Sequence, residues 1–488
     1  MKKPIIVMNT MKKLNLTGKQ LRAIGYPEGP VISIAINLMK KYYKFETEEN
    51  ALNILKDILT TPENYKEHET LGFIAKQLLP PSEIAENGSE VALNKTGVPF
   101  QIFGKEHIEE DALFQIQNAS KLPIAVSGAL MPDAHPGYGL PIGGVLATQN
   151  AIIPYGVGVD IGCRMCLSIF DINPIELDQK IPFYSRELNE ATLFGTGKQF
   201  ESFTDHEILD RKEFDEIEML RSLKDRAAYQ LGTSGSGNHF VEFGIVDIKE
   251  EDPILKVSPG KYVGLLSHSG SRGLGATIAN HYTRLAKEKI KLPGEAANLA
   301  WLNLDEEDGI EYWLAMNLAG DYASANHHMI HAKIARQLGR EPIRMVENHH
   351  NFAWKEKHDG KEVIVHRKGA TPAGKNVLGI IPGSMTAPGF IVKGKGEIAS
   401  LSSAAHGAGR QLSRSAALKT ITRESLNDIL KKHGVTLIGG GLDEAPFAYK
   451  DIHQVMQSQE SLIEVVGKFS PKIVKMDSSS GKRKRGRK

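Results

Sequence analysis

The pattern of apolar and polar residues changes near Val98 and predicts two differently built regions. Residues 1–95 contain an amphipathic stretch from Ala51 to Thr60, a charged segment at 63–69 and a Pro80–Pro81 break. Apolar residues at every third or fourth position are typical of a helix that buries one face. Because no reactive side chains are concentrated here, we interpret 1–95 as an N-terminal accessory or packing region.

Beyond Val98, short apolar runs bounded by glycine or polar residues predict buried strands. They lie at 123–126, 143–148, 165–170, 239–246, 262–267, 362–366 and 389–394. Longer stretches with helical spacing lie at 205–231, 276–290, 311–338 and 411–433. Strands and helices alternate unevenly, without regular βαβ spacing. We therefore predict an α+β fold, not a Rossmann fold, with central β-sheet layers flanked by helices.

The charge of the chain is unevenly distributed. The 488 residues include 60 Lys or Arg and 58 Asp or Glu, giving a formal net charge of +2. Six of the basic residues lie in the last seven positions, which leaves 54 basic against 58 acidic residues at 1–481. A polyanionic partner must therefore be bound by a local site on a mildly acidic body. The stretch 477–488 is rich in Ser and Gly and then basic, which predicts a disordered tail.

Several classes of protein are disfavoured by composition. No apolar run approaches the ~18–20 residues of a membrane span, and the apolar stretch at 1–8 is too short for a signal peptide. The two cysteines, Cys163 and Cys166, cannot form a disulfide scaffold, and their close spacing suits thiolate chemistry in a reducing compartment. We expect a soluble cytoplasmic protein.

Histidine placement is the strongest chemical signal. Eleven of the seventeen histidines lie between His239 and His406. His327, His328 and His331 fall within the helical stretch 311–338, where a surface or boundary position is the ordinary interpretation. The others adjoin glycines at the ends of strand-like runs, where side chains from several segments can converge on one site.

Candidate metal ligands lie close to these strand ends. Asp160 and Cys163 are three residues apart in VGVDIGC, and a hard carboxylate beside a soft thiolate suits a metal-binding corner in which the thiolate bridges two ions. The alternative is a buried, inert cysteine. His239 follows a Gly/Ser-rich loop at 232–237, and His350 lies in ENHHN; imidazole is a common ligand for transition metals.

Other loops suit the binding of anions. The loop at 232–237 offers backbone N–H groups to a phosphate but lacks the Lys-Ser/Thr of a Walker motif. Arg272 follows His268 within HSGSRG, where a guanidinium beside hydroxyl groups suits an anion pocket. VHRKGAT places Arg367 and Lys368 in a row, either as phosphate ligands or as a solvated strand end.

His406 is flanked by small residues in SSAAHGAGR, which favours a nucleophile over a packing role. One carboxylate, one thiolate, several imidazoles and three glycine-containing loops together suit a metal-assisted phosphoryl or nucleotidyl transfer centre.

The ordered set of motifs resembles the RtcB family of RNA-splicing ligases. Its most specific strings are MPDAHPGYGLPIGG (131–144), VGVDIGC (157–163), GSGNHFVE (235–242), HSGSRGLG (268–275), HHN (349–351), VHRKGAT (365–371), PGSM (382–385), HGAGR (406–410) and DEAPFAYK (443–450). The likeness runs from about Gln101 to Lys475. It implies one large RtcB-like catalytic domain at 96–476. It also implies a GTP-dependent enzyme that joins RNA 2′,3′-cyclic phosphate or 3′-phosphate ends to 5′-hydroxyl ends, in RNA repair or tRNA splicing.

The resemblance also implies roles for individual residues. Asp160, Cys163 and His239 would bind one Mn²⁺ ion, and Cys163, His268 and His350 the second. His406 would attack the α-phosphate of GTP and form a histidine–GMP adduct. The guanine nucleotide pocket would be formed by Asn238, His239, Phe240, Val241, Glu242, His350, Asn351, Pro382, Gly383, Ser384, Met385, Gly389, His406, Gly407, Ala408, Gly409 and Lys475. Because the body is mildly acidic, we expect its RNA affinity to come from a few placed groups, such as Arg272, Arg367, Lys368 and Arg410. The small protein archease is an implied partner.

Three positions depart from the family pattern. Arg164 follows Cys163 where the family has glycine, Pro372 replaces an arginine, and Gly389 replaces a serine that contacts the nucleotide. These departures favour a divergent branch that serves RNA repair rather than tRNA splicing. They leave two alternatives open: a dinuclear-metal phosphoesterase acting on RNA ends, and a catalytically silent RNA- or ribosome-binding paralogue. The retained ligands and His406 argue against the silent paralogue.

Overall fold

The computed structural model of the protein describes residues 14–66, 68, 70–79 and 89–478. The predicted Pro80–Pro81 break, the apolar stretch at 1–8 and all but the first two residues of the predicted tail at 477–488 lie outside the described residues.

The N-terminal region is helical. It contains α1 (Gly18–Ala23), α2 (Pro30–Tyr42), α3 (Glu48–Thr60) and α4 (Gly72–Leu78). The amphipathic stretch predicted at 51–60 lies in α3, which begins after Thr47; the hydroxyl of Thr47 accepts a hydrogen bond from the Asn50 N–H and caps the helix. Leu55 and Ile58 are fully buried against residues of α2, and Ile310 packs on the same cluster from the larger region. The predicted domain boundaries at 95 and 476 stay predictions.

An eight-stranded sheet organises the larger region. In spatial order it contains β11 (Arg344–His349), β6 (Arg164–Phe170), β8 (Gly260–Ser269), β7 (Phe240–Ile248), β19 (Ile463–Met476), β16 (Gly389–Gly394) and β15 (Leu378–Ile381), with β18 (Thr436–Ile438) paired to β19. These neighbours are antiparallel except β18 and β19, which are parallel.

The register of the sheet separates two sets of side chains. Met165, His268 and Phe240 are cross-strand neighbours, and so are Cys166, Ser267 and Val241. Because successive side chains of a strand point to opposite sides and paired residues share a side, the two sets lie on opposite faces. We name the face of Met165, His268 and Phe240 the cavity face, and the face of Cys166, Ser267 and Val241 the helix face.

A second sheet lies next to the first. Its strands, in spatial order, are β12 (Asn351–His358), β13 (Lys361–Lys368), β4 (Leu140–Thr148), β3 (Ala125–Tyr138) and β2 (Phe100–Ile102). Val145 and Val365 of this sheet share an apolar cluster with Phe390 and Ile463 of the larger sheet. The short strands are β1 (Ser89–Glu90), β5 (Ala151–Ile152), β9 (Ile290–Lys291), β10 (Leu302–Asn303), β14 (Ala370–Pro372) and β17 (Ser403–Ala405).

Helices surround the sheets, which confirms the predicted α+β fold. They are α5 (Glu110–Ser120), α6 (Pro154–Val157), α7 (Pro174–Gln179), α8 (Ile181–Ala191), α9 (Glu213–Glu216), α10 (Glu218–Arg221), α11 (Lys224–Gln230), α12 (Arg272–Lys289), α13 (Glu307–Leu338), α14 (Arg414–Thr420), α15 (Arg423–His433) and α16 (Ile452–Gln457). Among the described residues, no helix combines the length and apolarity needed to span a membrane.

Two predicted helices are shorter than their patterns indicate. The stretch 205–231 is broken into α9, α10 and α11, because Ile217 adopts an extended conformation (φ −95°, ψ 115°) between α9 and α10 and buries its side chain. The stretch 411–433 is divided into α14 and α15 at Thr422, whose hydroxyl caps α15 by accepting from the Ser425 N–H. The long strand β19 was not predicted, since Gly467 and Pro471 interrupt its apolar pattern and the register shifts after Pro471.

Candidate active site

A cavity of 730 Å³ opens on the cavity face of the large sheet. Strands of both sheets and the loops that leave them contribute its walls. Of the residues implied for metal and nucleotide binding, the cavity is lined by Asp160, Cys163, Asn238, His239, Phe240, Glu242, His268, His350, Asn351, Pro382, Gly383, Ser384, Met385, Gly389, His406, Gly407, Ala408 and Gly409. Segments far apart in the sequence thus converge on one site.

Five potential ligand atoms meet at the floor of this cavity. Cys163 Sγ lies 3.5 Å from His239 Nε2 and 3.2 Å from His268 Nε2. His268 Nε2 lies 3.2 Å from His350 Nε2, and His239 Nε2 lies 2.9 Å from Asp160 Oδ2. The thiol thus lies beside both His239 and His268; Asp160 adjoins the first of these rings and His350 adjoins the second.

Local backbone structure places these donors. The loop between α6 and β6 turns at Gly158 and Gly162, which have φ of 101° and 70°, a region that favours glycine. The Cys163 carbonyl accepts a hydrogen bond from the His350 N–H at 3.0 Å and so links the two ligand loops. Gly270 packs directly against Asp160: an added Cβ would lie 2.1 Å from Asp160 Oδ1.

The tautomer of His268 is fixed for metal binding. His268 Nδ1 lies 3.0 Å from the carbonyl oxygen of Asn238. A carbonyl only accepts, so Nδ1 carries the proton and Nε2 presents its lone pair to Cys163 and His350. Burial lowers the pKa of His268 to about 3 and also lowers that of His350, so both rings are neutral near pH 7.

The acidic groups of the cluster behave differently. Burial raises the pKa of Asp160, but the hydrogen bond and charge of His239 and further contributions from Cys163 and Arg272 outweigh it, so the pKa lies below its ordinary value. Burial and the neighbouring Asp160 raise the pKa of the Cys163 thiol. Binding of a cation at this thiol would therefore release a proton. The donors fit one or two divalent cations, and Cys163, His239 and His268 form a buried trio with metal-ligand spacing.

His406 lies beside this cluster. Its ring centroid is 4.8 Å from that of His350. Asp133, on β3, is fully buried, and its Oδ2 lies 2.7 Å from His406 Nδ1 and accepts the His406 backbone N–H at 3.1 Å. Since a carboxylate only accepts, Nδ1 carries the proton and Nε2 is the ring nitrogen left for nucleophilic attack. Sequence reasoning missed Asp133, although it lies in the quoted motif MPDAHPGYGLPIGG.

Two residues implied for the nucleotide pocket lie elsewhere. Val241 is fully buried in an apolar cluster on the helix face. Lys475 pairs with Val241 across β19 and β7 and therefore points to the same face. Its ammonium donates to the carbonyl oxygens of Leu188, Asn189 and Thr192 at the end of α8, at 3.2, 3.2 and 2.9 Å. The assignment of Val241 and Lys475 to the pocket is corrected on this ground.

The basic residues expected to bind RNA also differ in position. Lys368 lines the cavity; burial lowers its pKa to about 7, and its Nζ donates to the Tyr138 carbonyl at 2.7 Å. Arg410 lines the cavity and pairs with Glu444 at 3.1 Å. Arg272 donates to Thr233 Oγ1 and the Gly195 carbonyl.

Arg367 is 1% exposed and donates to both carboxylate oxygens of Glu356, at 2.6 and 3.1 Å. The expectation that Arg367 binds RNA is therefore wrong, because its guanidinium already serves a buried ion pair.

The three departures from the family pattern have separate surroundings. Arg164 is buried on the helix face, where it donates to Glu347 at 3.0 Å and to the Gly320 carbonyl at 3.2 Å. Pro372 belongs to β14 and pairs with Ser403. Gly389 lines the cavity and lies against Pro382. Of these substitutions, Gly389 alone changes a residue of the cavity wall.

The three helical histidines are not all at a boundary. His327 and His331 are fully or almost fully buried, at 0% and 1% exposure, and only His328 is partly exposed. The surface interpretation is therefore wrong for His327 and His331. Both point from α13 onto the helix face, where Ser267 Oγ lies between them.

The fold and this geometry define a candidate metal centre with an adjacent histidine nucleophile. The chain matches the family described as "tRNA-splicing ligase RtcB" over residues 115–219 and 210–477. It is 33% identical over 388 residues to the "RNA-splicing ligase RtcB" of Escherichia coli K12, covering 74% of this chain and 92% of that protein. It is 32% identical over 457 residues to the "tRNA-splicing ligase RtcB" of Nanoarchaeum equitans, covering 78% of this chain and 95% of that protein. The chain belongs to the RtcB family, as its motifs predict.

Proposed function

We propose that the protein is an RNA ligase that joins 2′,3′-cyclic phosphate or 3′-phosphate ends to 5′-hydroxyl ends at the expense of GTP. The observation that carries this proposal is His406, whose Nδ1 is held by Asp133 and whose Nε2 is left beside the Asp160–Cys163–His239–His268–His350 cluster. The names of the relatives in Escherichia coli and Nanoarchaeum equitans, which are RNA- and tRNA-splicing ligases, support it.

The first chemical step belongs to His406. Its Nε2 attacks the α-phosphorus of GTP, a nitrogen–phosphorus bond forms, and the bond to the bridging oxygen of the β-phosphate breaks, so that pyrophosphate leaves. Asp133 keeps the proton on Nδ1 and stabilises the positive charge that develops on the ring. The product is a histidine–GMP phosphoramidate.

The adduct then activates the RNA. An oxygen of the RNA 3′-phosphate attacks the phosphorus of the adduct, the phosphoramidate bond breaks, and GMP is joined to the RNA end through a phosphoanhydride. A 5′-hydroxyl next attacks the RNA phosphorus, a 3′,5′-phosphodiester forms, and GMP leaves. A cyclic phosphate must first be opened by water to a 3′-phosphate. Capping with GMP is required because a phosphate monoester has no adequate leaving group.

The donor set is suited to divalent cations. Asp160, Cys163 and His239 would hold one divalent ion, and Cys163, His268 and His350 a second. Bound there, such ions would neutralise charge that develops on the transferring phosphoryl group and would hold the reacting anions together. The mixed carboxylate, thiolate and imidazole set does not select one metal by itself; manganese is the ion that the family resemblance implies.

The cavity wall supports selection of guanine. Glu242 is 4% exposed and lines the cavity next to Phe240. Guanine carries N–H donors that match a carboxyl group, whereas adenine presents an acceptor at the same place. Burial raises the pKa of Glu242, and N–H donors of a bound guanine would stabilise its carboxylate form against this effect. The remaining pocket would be formed by Asn238, His239, Phe240, His350, Asn351, Pro382–Met385, Gly389 and His406–Gly409.

The cellular role is proposed on narrower grounds. Cys163 and Cys166 are both free, which suits a reducing cytoplasmic compartment. The departures at Arg164, Pro372 and Gly389 together favour RNA repair over tRNA splicing as the main role, and archease is the proposed activating partner.

Incubation with α-labelled GTP and manganese tests the proposal. We expect alkali-stable, acid-labile label on the wild-type protein and none on His406→Ala. His433→Ala, which changes an exposed histidine of α15, is the matched control and should label normally. Labelling with ATP should be much weaker. When the labelled protein is given one RNA with a cyclic phosphate end and another with a 5′-hydroxyl end, it should join the two ends.

Absence of label from the wild-type protein, or label that survives His406→Ala, would refute the mechanism. Hydrolysis of the RNA end without sealing would favour the phosphoesterase alternative.

A further inference from the structure

The helix face of the large sheet carries an unusual buried polar layer behind the candidate active site. Ser168 on β6 and Ser267 and Ser269 on β8 are all fully buried and point towards α13. His327 and His331, one helical turn apart on α13, point back at them. Buried polar groups of this kind are stable only when each finds a hydrogen-bond partner.

The hydrogen bonds of this layer form one continuous chain. Ser168 Oγ lies 2.7 Å from His331 Nδ1, and His331 Nε2 lies 2.7 Å from Ser267 Oγ. Ser267 Oγ lies 2.6 Å from His327 Nδ1, and His327 Nε2 lies 3.0 Å from the Ser269 carbonyl oxygen. All four ring nitrogens are therefore engaged, and the chain begins and ends on the two strands that it connects to α13.

The order of donors follows from the last acceptor. The Ser269 carbonyl can only accept, so His327 Nε2 carries the proton and Nδ1 accepts from the Ser267 hydroxyl. Ser267 Oγ then accepts from His331 Nε2, and His331 Nδ1 accepts from the Ser168 hydroxyl. This assignment requires neutral rings, and burial lowers the pKa of His331 to about 3 and that of His327 well below its usual range. Each donor has one acceptor.

A metal ion is the competing explanation, because Cys166, His327 and His331 place ligand atoms within 4.8 Å of one another. The geometry argues against it. Ser267 Oγ lies 2.6 and 2.7 Å from the two nitrogens that would face an ion, and so occupies the position between them. In the candidate active site, by contrast, the sulfur and nitrogens approach one another directly at 3.2 to 3.5 Å.

This series of hydrogen bonds holds the residues on either side of a candidate metal ligand. Ser267 and Ser269 flank His268, whose side chain points to the opposite, cavity face. Hydrogen bonds to both neighbours fix the backbone position and twist of β8 at His268. A shift of a few tenths of an ångström in this strand would move His268 Nε2 relative to Cys163 and His350.

We infer that Ser267, His327 and His331 are positioning residues, which hold β8 so that His268 meets the other metal ligands of the cavity. The inference rests on the proposed function, because it takes His268 as a ligand of a divalent cation. Partners that orient metal ligands directly contribute about 10- to 100-fold to metal affinity. Since this series of hydrogen bonds acts through strand β8 and not on the imidazole itself, we expect a smaller contribution to metal affinity, about 3- to 10-fold.

Manganese binding to the full-length protein, without GTP or RNA, tests the inference. Free Mn²⁺ is followed by electron paramagnetic resonance during titration of wild type, Ser267→Ala and His331→Gln. Ser267→Ala removes the central hydroxyl, and His331→Gln interrupts the chain from α13 without altering β8. Both should weaken manganese binding about 3- to 10-fold, and Ser267→Thr, which restores the hydroxyl, should recover most of the affinity.

Ser400→Ala is the matched control. Ser400 is fully buried and donates to the Glu397 carbonyl at 3.0 Å, far along the chain from β8. It should lower the melting temperature comparably while leaving manganese affinity unchanged, which separates positioning from general loss of stability.

Three outcomes overturn the inference. Manganese affinity within twofold of wild type in both Ser267→Ala and His331→Gln would refute positioning while leaving the proposed function intact. One tightly held metal ion per chain that is lost in Cys166→Ala and His331→Gln would show that the trio is a metal site instead. A wild-type protein that binds no manganese would refute both the inference and the proposed metal centre.

Discussion

The two faces of the large sheet carry similar side chains with different surroundings. On the cavity side, Cys163 lies with His239 and His268; on the helix face, Cys166 lies with His327 and His331. Both trios are buried, and burial lowers the pKa of His268 and of His331 to about 3 in each case. Composition and burial therefore do not distinguish them.

What distinguishes the trios is the partner of each nitrogen. His268 directs the lone pair of Nε2 at a thiol and a second imidazole, both of which are themselves potential metal ligands. His331 directs Nε2 at the Ser267 hydroxyl, which accepts its proton. Converging ligand atoms favour a cation, whereas an alternating series of donors and acceptors is already satisfied by its own hydrogen bonds. Function therefore depends on the partners and not on the residue types.

The largest expected difference is between the two cysteines. Cys163→Ala removes the donor shared by both groups of ligands and should reduce histidine guanylylation by more than about 100-fold, since loss of a direct ligand exceeds the effect of its outer partners. Cys166 lies three residues further along the chain and points to the helix face, so Cys166→Ala should retain labelling within about twofold. The measurement is the rate of adduct formation with α-labelled GTP at saturating manganese.

Equal loss in both cysteine variants would contradict the distinction between the faces. Melting temperatures of the two variants serve as the control, because both cysteines are buried and either substitution removes packing.

The sequence pattern predicted many of the strands and helices, but it did not predict the face of a strand to which each side chain points. The runs around 165–170, 262–267 and 389–394 are strands β6, β8 and β16, because their apolar and β-branched residues suit a buried sheet. Strand β19 could not be predicted, since Pro471 and its charged neighbours resemble a loop and only the pairing with β7 and β16 defines the strand. A local pattern of residues does not show which distant strands will pair.

The site shows the same limit. Motif resemblance brought together the residues that now line one cavity, but it treated 238–242 as a continuous binding segment. Alternation within β7 places Phe240 and Glu242 in the cavity and Val241 in the core. His239 reaches the cavity because it precedes the first residue of the strand and escapes that alternation. Asp133 was missed because nothing local to MPDAH indicates that it meets His406, 273 residues later.

A second prediction concerns the charge beside His406 on the cavity side. Asp133→Asn keeps the shape of the side chain, and its amide oxygen can still accept from the His406 N–H and from Nδ1, but the negative charge that stabilises the ring during attack is lost. An opposite charge at this distance favours a charged ring by about 1 to 3 pKa units, and only part of the charge has developed at the transition state, so we expect about 10- to 100-fold slower guanylylation. Asp359→Asn, in an exposed turn, is the control. A normal rate in Asp133→Asn would show that the charge of Asp133 does not assist His406.

A third prediction concerns the pH dependence of stability that the helix face contributes. His331 has a folded-state pKa of about 3, below the ordinary 6.5, through burial and the positive neighbour His328, with Glu347 acting in the opposite direction. The unfolded chain therefore takes up a proton below pH 6.5 that the folded chain does not. Stability from this group is complete above pH 6.5 and falls as the pH is lowered towards 3, by at most about 1.4 kcal/mol per pH unit.

His331→Gln tests this pH dependence. The difference in unfolding free energy between wild type and variant should be largest above pH 6.5 and narrow between pH 6.5 and 4, measured by urea denaturation. If the difference in unfolding free energy stays constant over this range, His331 takes up a proton as readily in the folded protein as in the unfolded chain. The proposed order of donors, which requires a neutral ring, would then fail.

The smallest expected effect is that of Lys475 on nucleotide binding. Lys475 lies on β19 opposite Val241, so its side chain leaves the cavity wall that its neighbours Val474 and Met476 complete. Its three bonds to carbonyl oxygens at the end of α8 satisfy acceptors that the helix leaves open. Lys475→Met should therefore lower the unfolding free energy by about 1 to 2 kcal/mol and change the GTP concentration for half-maximal labelling by less than about twofold. Glu242→Gln provides the contrast within the same pair of strands, because it alters the cavity face and should weaken GTP relative to ATP. A large loss of GTP affinity in Lys475→Met with normal stability would place the lysine in the pocket. The alternation of side chains between the two faces of the sheet would then not predict which residues contact the nucleotide.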